Sequence, residues 1–197
     1  MIIEEVKSKY SGKLTVKKVW DWGWHYYVTT GVLSQSGGII NDLWSPIISN
    51  IQCLMSNVLI LGLATGTLAK LINKKFKDAK ITGIEIDPEM IKIGKRYFGL
   101  DKISNLKIVN KDAKDFVGDF DIIFVDLYLK DKLPRFLYSD KFLKRLKDSG
   151  KTVIINHLFY DKSKKTRAEY LIEKMEKYFK DIKLQRVLTN VIIIGHV

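Results

Sequence analysis

The stretch that decides the fold is residues 57–88, NVLILGLATGTLAKLINKKFKDAKITGIEIDP. It opens with a short continuous apolar run, 58–61, as expected of a strand that is buried on both faces. A helix is predicted at 66–76 and a second strand at 79–86, just before a proline that suits the first turn of another helix. A strand, a helix and a further strand in this order predict parallel pairing through a right-handed crossover.

The same alternation continues to the end of the chain. Further strands are predicted at 106–109, 120–125, 151–156, 182–187 and 191–196, and further helices at 41–52, 88–97, 138–147 and 167–178. Only three residues separate the last two strands, which is too few for a crossover, so these strands must pair antiparallel. We therefore predict an α/β, Rossmann-like fold whose seven-stranded, mostly parallel sheet ends in an antiparallel C-terminal hairpin.

The first part of the chain follows a different pattern. Residues 14–20 alternate in the manner of a strand, Asp21-Trp22-Gly23 indicates a turn, and 24–30 suits the returning strand. We predict a small β-hairpin cap at 1–36, followed by a single compact Rossmann-like unit at 37–197.

Length and composition restrict the class of protein. A chain of 197 residues with 46% hydrophobic residues is about one globular domain with its own core. No apolar run reaches the roughly 18–20 residues of a membrane span, and the N-terminus lacks a signal-peptide pattern. The single cysteine, Cys53, excludes a disulfide framework and multi-thiolate metal sites. We expect a cytoplasmic protein without a metal or a membrane partner.

The net charge of +12 has two interpretations. It could serve an anionic partner such as a nucleic acid, or it could be an ordinary solvated lysine surface. Lysines are scattered along the whole chain, and arginine, whose fork suits phosphate groups, is scarce, which favours the second interpretation. The basic stretch at 161–167, DKSKKTR, is predicted to be a loop near the cleft. RNA binding through this loop is therefore the alternative interpretation.

The turn after the first parallel strand is the first candidate site. In doubly wound sheets, ligands bind beyond the carboxyl ends of the strands. Glycine in such a turn lets the backbone approach a ligand and lead into a helix N-terminus. We predict cofactor contacts from this turn, although small residues there also serve helix packing. The candidates are Gly62, Ala64, Thr65 and Gly66.

Two further candidates follow the next two strands. Glu85, with Ile86 beside it, stands where a carboxylate can accept both hydroxyls of a ribose, while Asp87 caps the next helix. Asp112 can accept a hydrogen bond from an adenine amino group, and Ala113 leaves room for the ring. The alternative for Asp112 is a simple helix cap.

Asp126 ends the 120–125 strand and is the candidate catalytic residue. An acid at the tip of a central strand points into the cleft, where a general base or an amine-holding carboxylate belongs. The alternative is a residue that only ends the strand in a turn. Together the four sites predict an adenosyl cofactor. A nicotinamide fold would need glycines where Ala64 and Thr67 stand, and it predicts no C-terminal antiparallel hairpin.

These residues resemble the class I methyltransferase fold and, within it, the spermidine synthase family of polyamine aminopropyltransferases. The similar motifs cover nearly the whole chain: 58–62 with Gly66, 84–91, 110–116, 120–126, 137–142 and 146–150. The resemblance implies S-adenosylmethionine (AdoMet), or its decarboxylated form, as the cofactor. It also implies that Gln35 holds the amino-acid end of this cofactor, that Asp126 is catalytic, and that a homodimer forms through the N-terminal part.

The sequence departs from that family where the polyamine would bind. The family carries acids where Thr65 and Leu129 stand, and a Tyr-His-Glu stretch where this chain has Trp44-Ser45-Pro46. Each acid that is missing from these places would have contributed about 1.5–3 kcal/mol to the binding free energy of a cationic polyamine. The departures favour a methyltransferase with a small-molecule acceptor. A divergent aminopropyltransferase and a nonenzymatic or RNA-associated relative are the alternatives.

Overall fold

The computed structural model describes residues 1–20, 23–31, 33–52, 55–129 and 132–197. Its N-terminal part is a four-stranded antiparallel sheet in the order β1-β2-β3-β4. The strands are β1 (Ile2–Ser8), β2 (Gly12–Trp20), β3 (Trp24–Thr30) and β4 (Leu33–Ser36). The predicted hairpin is present as β2 and β3, with one more strand on each side, while Asp21 and Trp22 of its predicted turn, like Cys53, lie outside the described residues.

The second sheet has seven strands in the order β10-β11-β9-β8-β5-β6-β7. They are β5 (Asn57–Leu61), β6 (Lys80–Glu85), β7 (Leu106–Asn110), β8 (Phe120–Val125), β9 (Gly150–Leu158), β10 (Lys180–Val187) and β11 (Asn190–His196). Strands β5 to β9 pair in parallel, and β11 pairs antiparallel with both β9 and β10. The predicted mostly parallel sheet with an antiparallel C-terminal hairpin is confirmed.

Five helices connect or flank these strands in the described ranges. They are α1 (Gly38–Asn50), α2 (Thr67–Lys75), α3 (Pro88–Phe98), α4 (Asp140–Ser149) and α5 (Lys162–Met175). Because side chains alternate along a strand, Val58 and Ile60 of β5 pack on the α1 and α2 side, whereas Leu59 and Leu61 pack on the α4 and α5 side. No helix in this part of the chain is both long and apolar enough to cross a membrane.

Helix α5 begins five residues earlier than the sequence predicted, so the basic stretch at 161–167 is not a loop. The side chain of Asp161 accepts a hydrogen bond from the backbone N–H of Lys164 and caps the helix. Lysines in a first turn oppose the helix dipole, which is why the sequence pattern favoured a later start. The lysines of this stretch therefore lie along a helical turn.

The N-terminal sheet is joined to α3 through the buried carboxylate of Asp87. The hydroxyls of Ser8 and Ser11 donate to its Oδ2 at 2.5 and 2.6 Å, and its Oδ1 accepts the N–H of Glu89 at 3.0 Å. The last bond is the predicted cap of α3. Apolar packing adds to this contact through Leu14, Val16, Val28, Met90 and Ile93. The turn between β1 and β2 is thereby held at the carboxyl edge of the parallel sheet.

Candidate active site

A cleft with two connected lobes opens at the carboxyl ends of the parallel strands. The first lobe spans about 700 Å³ and the second about 790 Å³ of space that is partly open to solvent. Five residues line both lobes: Gln35, Gly62, Ala64, Asp126 and Tyr128. Asp126 therefore lies at the junction of the two lobes.

The first lobe brings together most of the residues predicted to bind the cofactor. Besides the shared residues, it is lined by Glu85, Ile86, Met90, Asp112, Ala113 and Phe136. Two carboxylates thus stand beside apolar surfaces that suit a flat ring. Ser11, from the turn between β1 and β2, also lines this lobe and had no signal in the sequence pattern.

Glu85 is buried at the end of β6 and held by two backbone donors. Its Oε2 accepts the N–H of Ala64 at 2.8 Å, and its Oε1 accepts the N–H of Asp87 at 2.9 Å. Burial raises the pKa of Glu85, while these backbone bonds act in the opposite direction. The backbone N–H of Ile86 also acts on this carboxylate. An ionised carboxylate can accept about four hydrogen bonds, so acceptor capacity remains for a ligand hydroxyl. Ala64 has a φ of 47°, a left-handed conformation that is uncommon for a residue with a side chain.

Gly62 is required where the turn after β5 crosses the end of β8. Its φ is 91°, and a Cβ atom there would lie 2.1 Å from the carbonyl oxygen of Asp126. The N–H groups of Gly62 and Leu63 both donate to the carbonyl of Ile84 at 3.0 Å. The turn is thus fixed against the neighbouring strands and places its backbone along both lobes.

We expect Gly62→Ala to lower the free energy of unfolding by about 2–5 kcal/mol, because overpacking adds to the cost of a left-handed residue. Gly31→Ala is the matched control, since Gly31 has a φ of 60° but, among the described residues other than its chain neighbours, no atom within 4 Å of its would-be Cβ. The control should lose only the conformational part, about 1–2 kcal/mol. Urea unfolding measures both variants, and equal losses would contradict the steric explanation.

Thr65 and Gly66 lie behind the cleft and line neither lobe. Thr65 is fully buried and donates its hydroxyl to Ser36. Gly66 precedes α2 with a φ of 91°, and a Cβ atom there would lie 2.3 Å from a methyl group of Leu100. The structure therefore shows packing roles for this pair, and their predicted contact with a cofactor stays a prediction.

Asp112 adopts the capping geometry that was its alternative in the sequence. Its Oδ1 accepts the N–H of Lys114 at 3.0 Å, and its Oδ2 lies 3.3 Å from the ammonium group of the same lysine. The side chain remains partly exposed and lines the first lobe. Capping and ligand binding are compatible here, because the carboxylate keeps unused acceptor sites.

Asp126 is oriented by one donor on each carboxylate oxygen. The indole Nε1–H of Trp44 donates to Oδ2 at 2.9 Å, and the side-chain amide of Asn156 donates to Oδ1 at 2.8 Å. Burial raises the pKa of Asp126, and the two bonds counteract this effect. The sequence did not predict these two hydrogen bonds, although Trp44 stands where the family has its Tyr-His-Glu stretch and Asn156 closes a predicted apolar strand.

The second lobe has a mostly apolar lining. Its apolar wall consists of Ile39, Ile40, Leu43, Leu158 and Leu188, and its polar side adds Asn156, Thr189 and Asn190 to the shared residues. Among the residues that the structure describes, Asp126 is the one charged residue in this lining. The hydroxyl of Tyr128 donates to the carbonyl of Asn156 at 3.0 Å, and burial, followed by the charge of Asp126, raises its pKa well above the ordinary value. Tyr128 is therefore neutral at physiological pH.

The sheet order, the crossovers and the cleft define a spermidine-synthase-like class I methyltransferase fold. Residues 58–150 match the family model of a methyltransferase domain. The structure of a probable spermidine synthase from Corynebacterium glutamicum ATCC 13032 is similar with a TM-score of 0.76 at 15% identity, covering 100% of this chain and 80% of that chain.

Two sequence relatives carry different activities in their names. An eEF1A lysine and N-terminal methyltransferase homolog of Drosophila melanogaster is 26% identical over 212 residues, which is 97% of this chain and 30% of that protein. A probable polyamine aminopropyl transferase of Bifidobacterium longum (strain NCC 2705) is 26% identical over 108 residues, which is 51% of this chain and 24% of that protein. The chain therefore spans less than a third of the length of either relative.

Proposed function

We propose that this chain is an AdoMet-dependent methyltransferase that binds the cofactor in the first lobe and the acceptor in the second. The position of Asp126 carries the proposal, because this residue lines both lobes at their junction. The match of 58–150 to a methyltransferase domain and the similarity to a methyltransferase homolog along 97% of the chain support it.

The first lobe fits an adenosyl cofactor through residues from four elements. Glu85 would accept the ribose hydroxyls, Asp112 and Ala113 would hold the adenine, and Gln35 would hold the amino-acid end. Gly62, Ala64 and Ile86 would line the bound molecule, while Thr65 and Gly66 would shape the turn from behind. The remaining acceptor capacity of the buried Glu85 supports this fit, because a buried carboxylate is stabilised by further donors. When bound, AdoMet supplies a methyl group activated by its sulfonium.

The second lobe would position the acceptor, and positioning supplies most of the rate in transfers of this kind. Asp126 accepts a hydrogen bond or a proton from the nucleophile, while Trp44 and Asn156 hold its carboxylate in place. A raised pKa makes this carboxylate a better proton acceptor near neutral pH.

The acceptor that suits this lobe best is an amine on an apolar chain, either in a small molecule or in a polypeptide. A lone carboxylate at the junction can hold one ammonium group or take its proton, and the aliphatic wall can contact the methylenes behind it. The name of the Drosophila relative, which specifies lysine and the N-terminus, supports an amine acceptor.

A divergent aminopropyltransferase is the second candidate. The Bifidobacterium relative and the spermidine synthase fold favour it. The lining of the second lobe opposes it, because Asp126 is the one carboxylate among its described residues and a polyamine carries at least two cations. Leu129, which stands where the family has an acid, is an exposed apolar residue on the first lobe.

Several broader expectations also remain proposals. The exposed pair Trp20 and Trp24 on the N-terminal sheet supports a homodimer through that part, and the lysines at the start of α5 support an association with RNA. The cytoplasmic location and the division at 1–36 and 37–197 stay predictions. In the described part of the chain, no group of three or more His, Cys, Asp or Glu residues is placed to hold a metal ion.

The test supplies the protein with methyl-labelled AdoMet and a lysine-containing peptide, and in parallel with decarboxylated AdoMet and putrescine. We expect labelled methyl groups on the peptide amine and no spermidine. Spermidine formation without peptide labelling would replace the proposal by the aminopropyltransferase. An Asp126→Asn variant controls for labelling by contaminating enzymes.

A further inference from the structure

A chain of two amide side chains leads from the C-terminal hairpin to Asp126. Asn190 is the first residue of β11 and is buried, and its Nδ2 donates to Oδ1 of Asn156 at 2.7 Å. Asn156, buried in β9, donates its own Nδ2 to Oδ1 of Asp126 at 2.8 Å. The hairpin that distinguishes this sheet therefore reaches the junction of the lobes through two hydrogen bonds.

We propose that Asn190 is a positioning residue that fixes the orientation of the Asn156 amide and so keeps a donor on Asp126. A carboxamide has one donor end and one acceptor end, so the partner at one end decides what the other end presents. The donor from Asn190 directs Oδ1 of Asn156 toward β11 and leaves its NH₂ group for Asp126. The catalytic consequence rests on the function proposed above, whereas the bond chain itself does not.

The same hairpin turn also forms part of the acceptor wall. Leu188 and Thr189 line the second lobe, and the Thr189 hydroxyl donates to Oδ1 of Asn190 at 3.1 Å. The Thr189 carbonyl accepts the N–H of Phe159 at 2.8 Å, which joins the turn to the end of β9. One turn therefore shapes the lobe and orients the acid at its inner end.

In the described part of the chain, neutral side chains contact Asp126, and one of them, Tyr128, also interacts with the side chain of Asn190. Helix α1 contributes the indole of Trp44, β9 contributes Asn156, and the segment after β8 contributes the neutral phenol of Tyr128. Glu85 is the other acid that lines the cleft with a raised pKa, and it faces the first lobe. Loss of either amide donor should therefore act on the pKa of Asp126 itself.

The indole Nε1–H of Trp44 provides the readout, because it is bonded directly to the carboxylate. Its NMR resonance is followed through a pH titration of the ligand-free protein and assigned by its loss in Trp44→Phe. We expect Asn190→Leu to raise the midpoint by about one to two pH units, as for the loss of one hydrogen bond to a charged group. Thr152→Val is the control and should leave the midpoint unchanged, because its hydroxyl contacts His196 at the opposite ends of β9 and β11, outside this chain of bonds.

A double-mutant cycle distinguishes a midpoint shift that is transmitted through these two hydrogen bonds from one caused by a general disturbance of the structure. Asn156→Leu should raise the midpoint at least as far as Asn190→Leu, and the double variant should shift it no further than Asn156→Leu alone. Additive shifts, or an Asn190→Leu midpoint equal to that of the wild type, would overturn the proposal.

Asn190→Ala provides a second test if the leucine variant does not fold, since alanine has no donor and adds no charge. It should raise the midpoint in the wild-type background and leave it unchanged in the Asn156→Leu background. An upward shift that persists in that background would overturn the proposal. The titration needs neither cofactor nor acceptor, so a protein that fails to bind AdoMet still gives a decisive result here.

Discussion

Replacing Asp126 by asparagine should lower the turnover number for methyl transfer by about 10²–10⁴-fold, the usual contribution of a positioned general base. An amide cannot take a proton from the acceptor, and its NH₂ group would face one of the two donors that now hold the carboxylate. These donors are the Trp44 indole and the Asn156 amide. AdoMet binding should change far less than turnover, since most of the first lobe remains.

The matched control is Asp121→Asn, at the opposite end of the same strand. Asp121 accepts bonds from the backbone of Ser56 and Asn57 and from Lys151, and it lines neither lobe. Its variant should keep wild-type turnover at a temperature where it is folded. Equal turnover in Asp126→Asn and in this control would show that Asp126 has no catalytic role.

The wild type should also show a pH dependence that the Asp126 variant lacks. The carboxylate acts in its ionised form, and burial raises its pKa above the ordinary value for aspartate. The rate should therefore rise with pH as Asp126 loses its proton, on a limb displaced upward from the usual range. Disappearance of that limb in Asp126→Asn would assign it to this residue.

Replacing Glu85 by glutamine should weaken AdoMet binding by about 10²–10⁴-fold, from the loss of two hydrogen bonds to a charged acceptor. Both carboxylate oxygens already accept backbone N–H groups, from Ala64 and Asp87. An amide would turn its NH₂ group toward one of these donors, so the turn after β5 would shift as well. The dissociation constant can be measured by equilibrium dialysis with labelled AdoMet.

Glu89→Gln is the control for the Glu85 variant, because Glu89 lies four residues further along and forms an exposed ion pair with Lys92. Its dissociation constant should equal that of the wild type, since exposed pairs contribute little. If Glu85→Gln also bound AdoMet as tightly as the wild type, the ribose assignment would be wrong.

The fold was predictable because several local sequence patterns indicate the same mostly parallel sheet. The apolar run of β5 indicates a strand buried on both faces, and the short link between β10 and β11 permits only antiparallel pairing. The strand β1 was missed because Ile2 and Ile3 are adjacent and both exposed, which breaks the alternation. The start of α5 was missed because the Asp161 cap is followed by lysines that oppose the helix dipole.

The meeting of three acids in one cleft was predictable because strand ends in a parallel sheet lie at one edge. Glu85, Asp112 and Asp126 all follow such ends, and the structure brings them to one cleft. Their partners were not predictable from local sequence. Trp44 comes from a helix and Asn190 from the C-terminal hairpin, and neither carries a charge or a motif that points to Asp126. Only the tertiary fold brings these neutral donors together.

The most direct test is a calorimetric titration of the wild-type protein with AdoMet and with decarboxylated AdoMet. We expect saturable binding of AdoMet at one site per chain, tighter than that of the decarboxylated form, since Gln35 should hold the amino-acid end. Preference for the decarboxylated form would favour aminopropyl transfer. Binding of neither would contradict the assignment of the first lobe to an adenosyl cofactor.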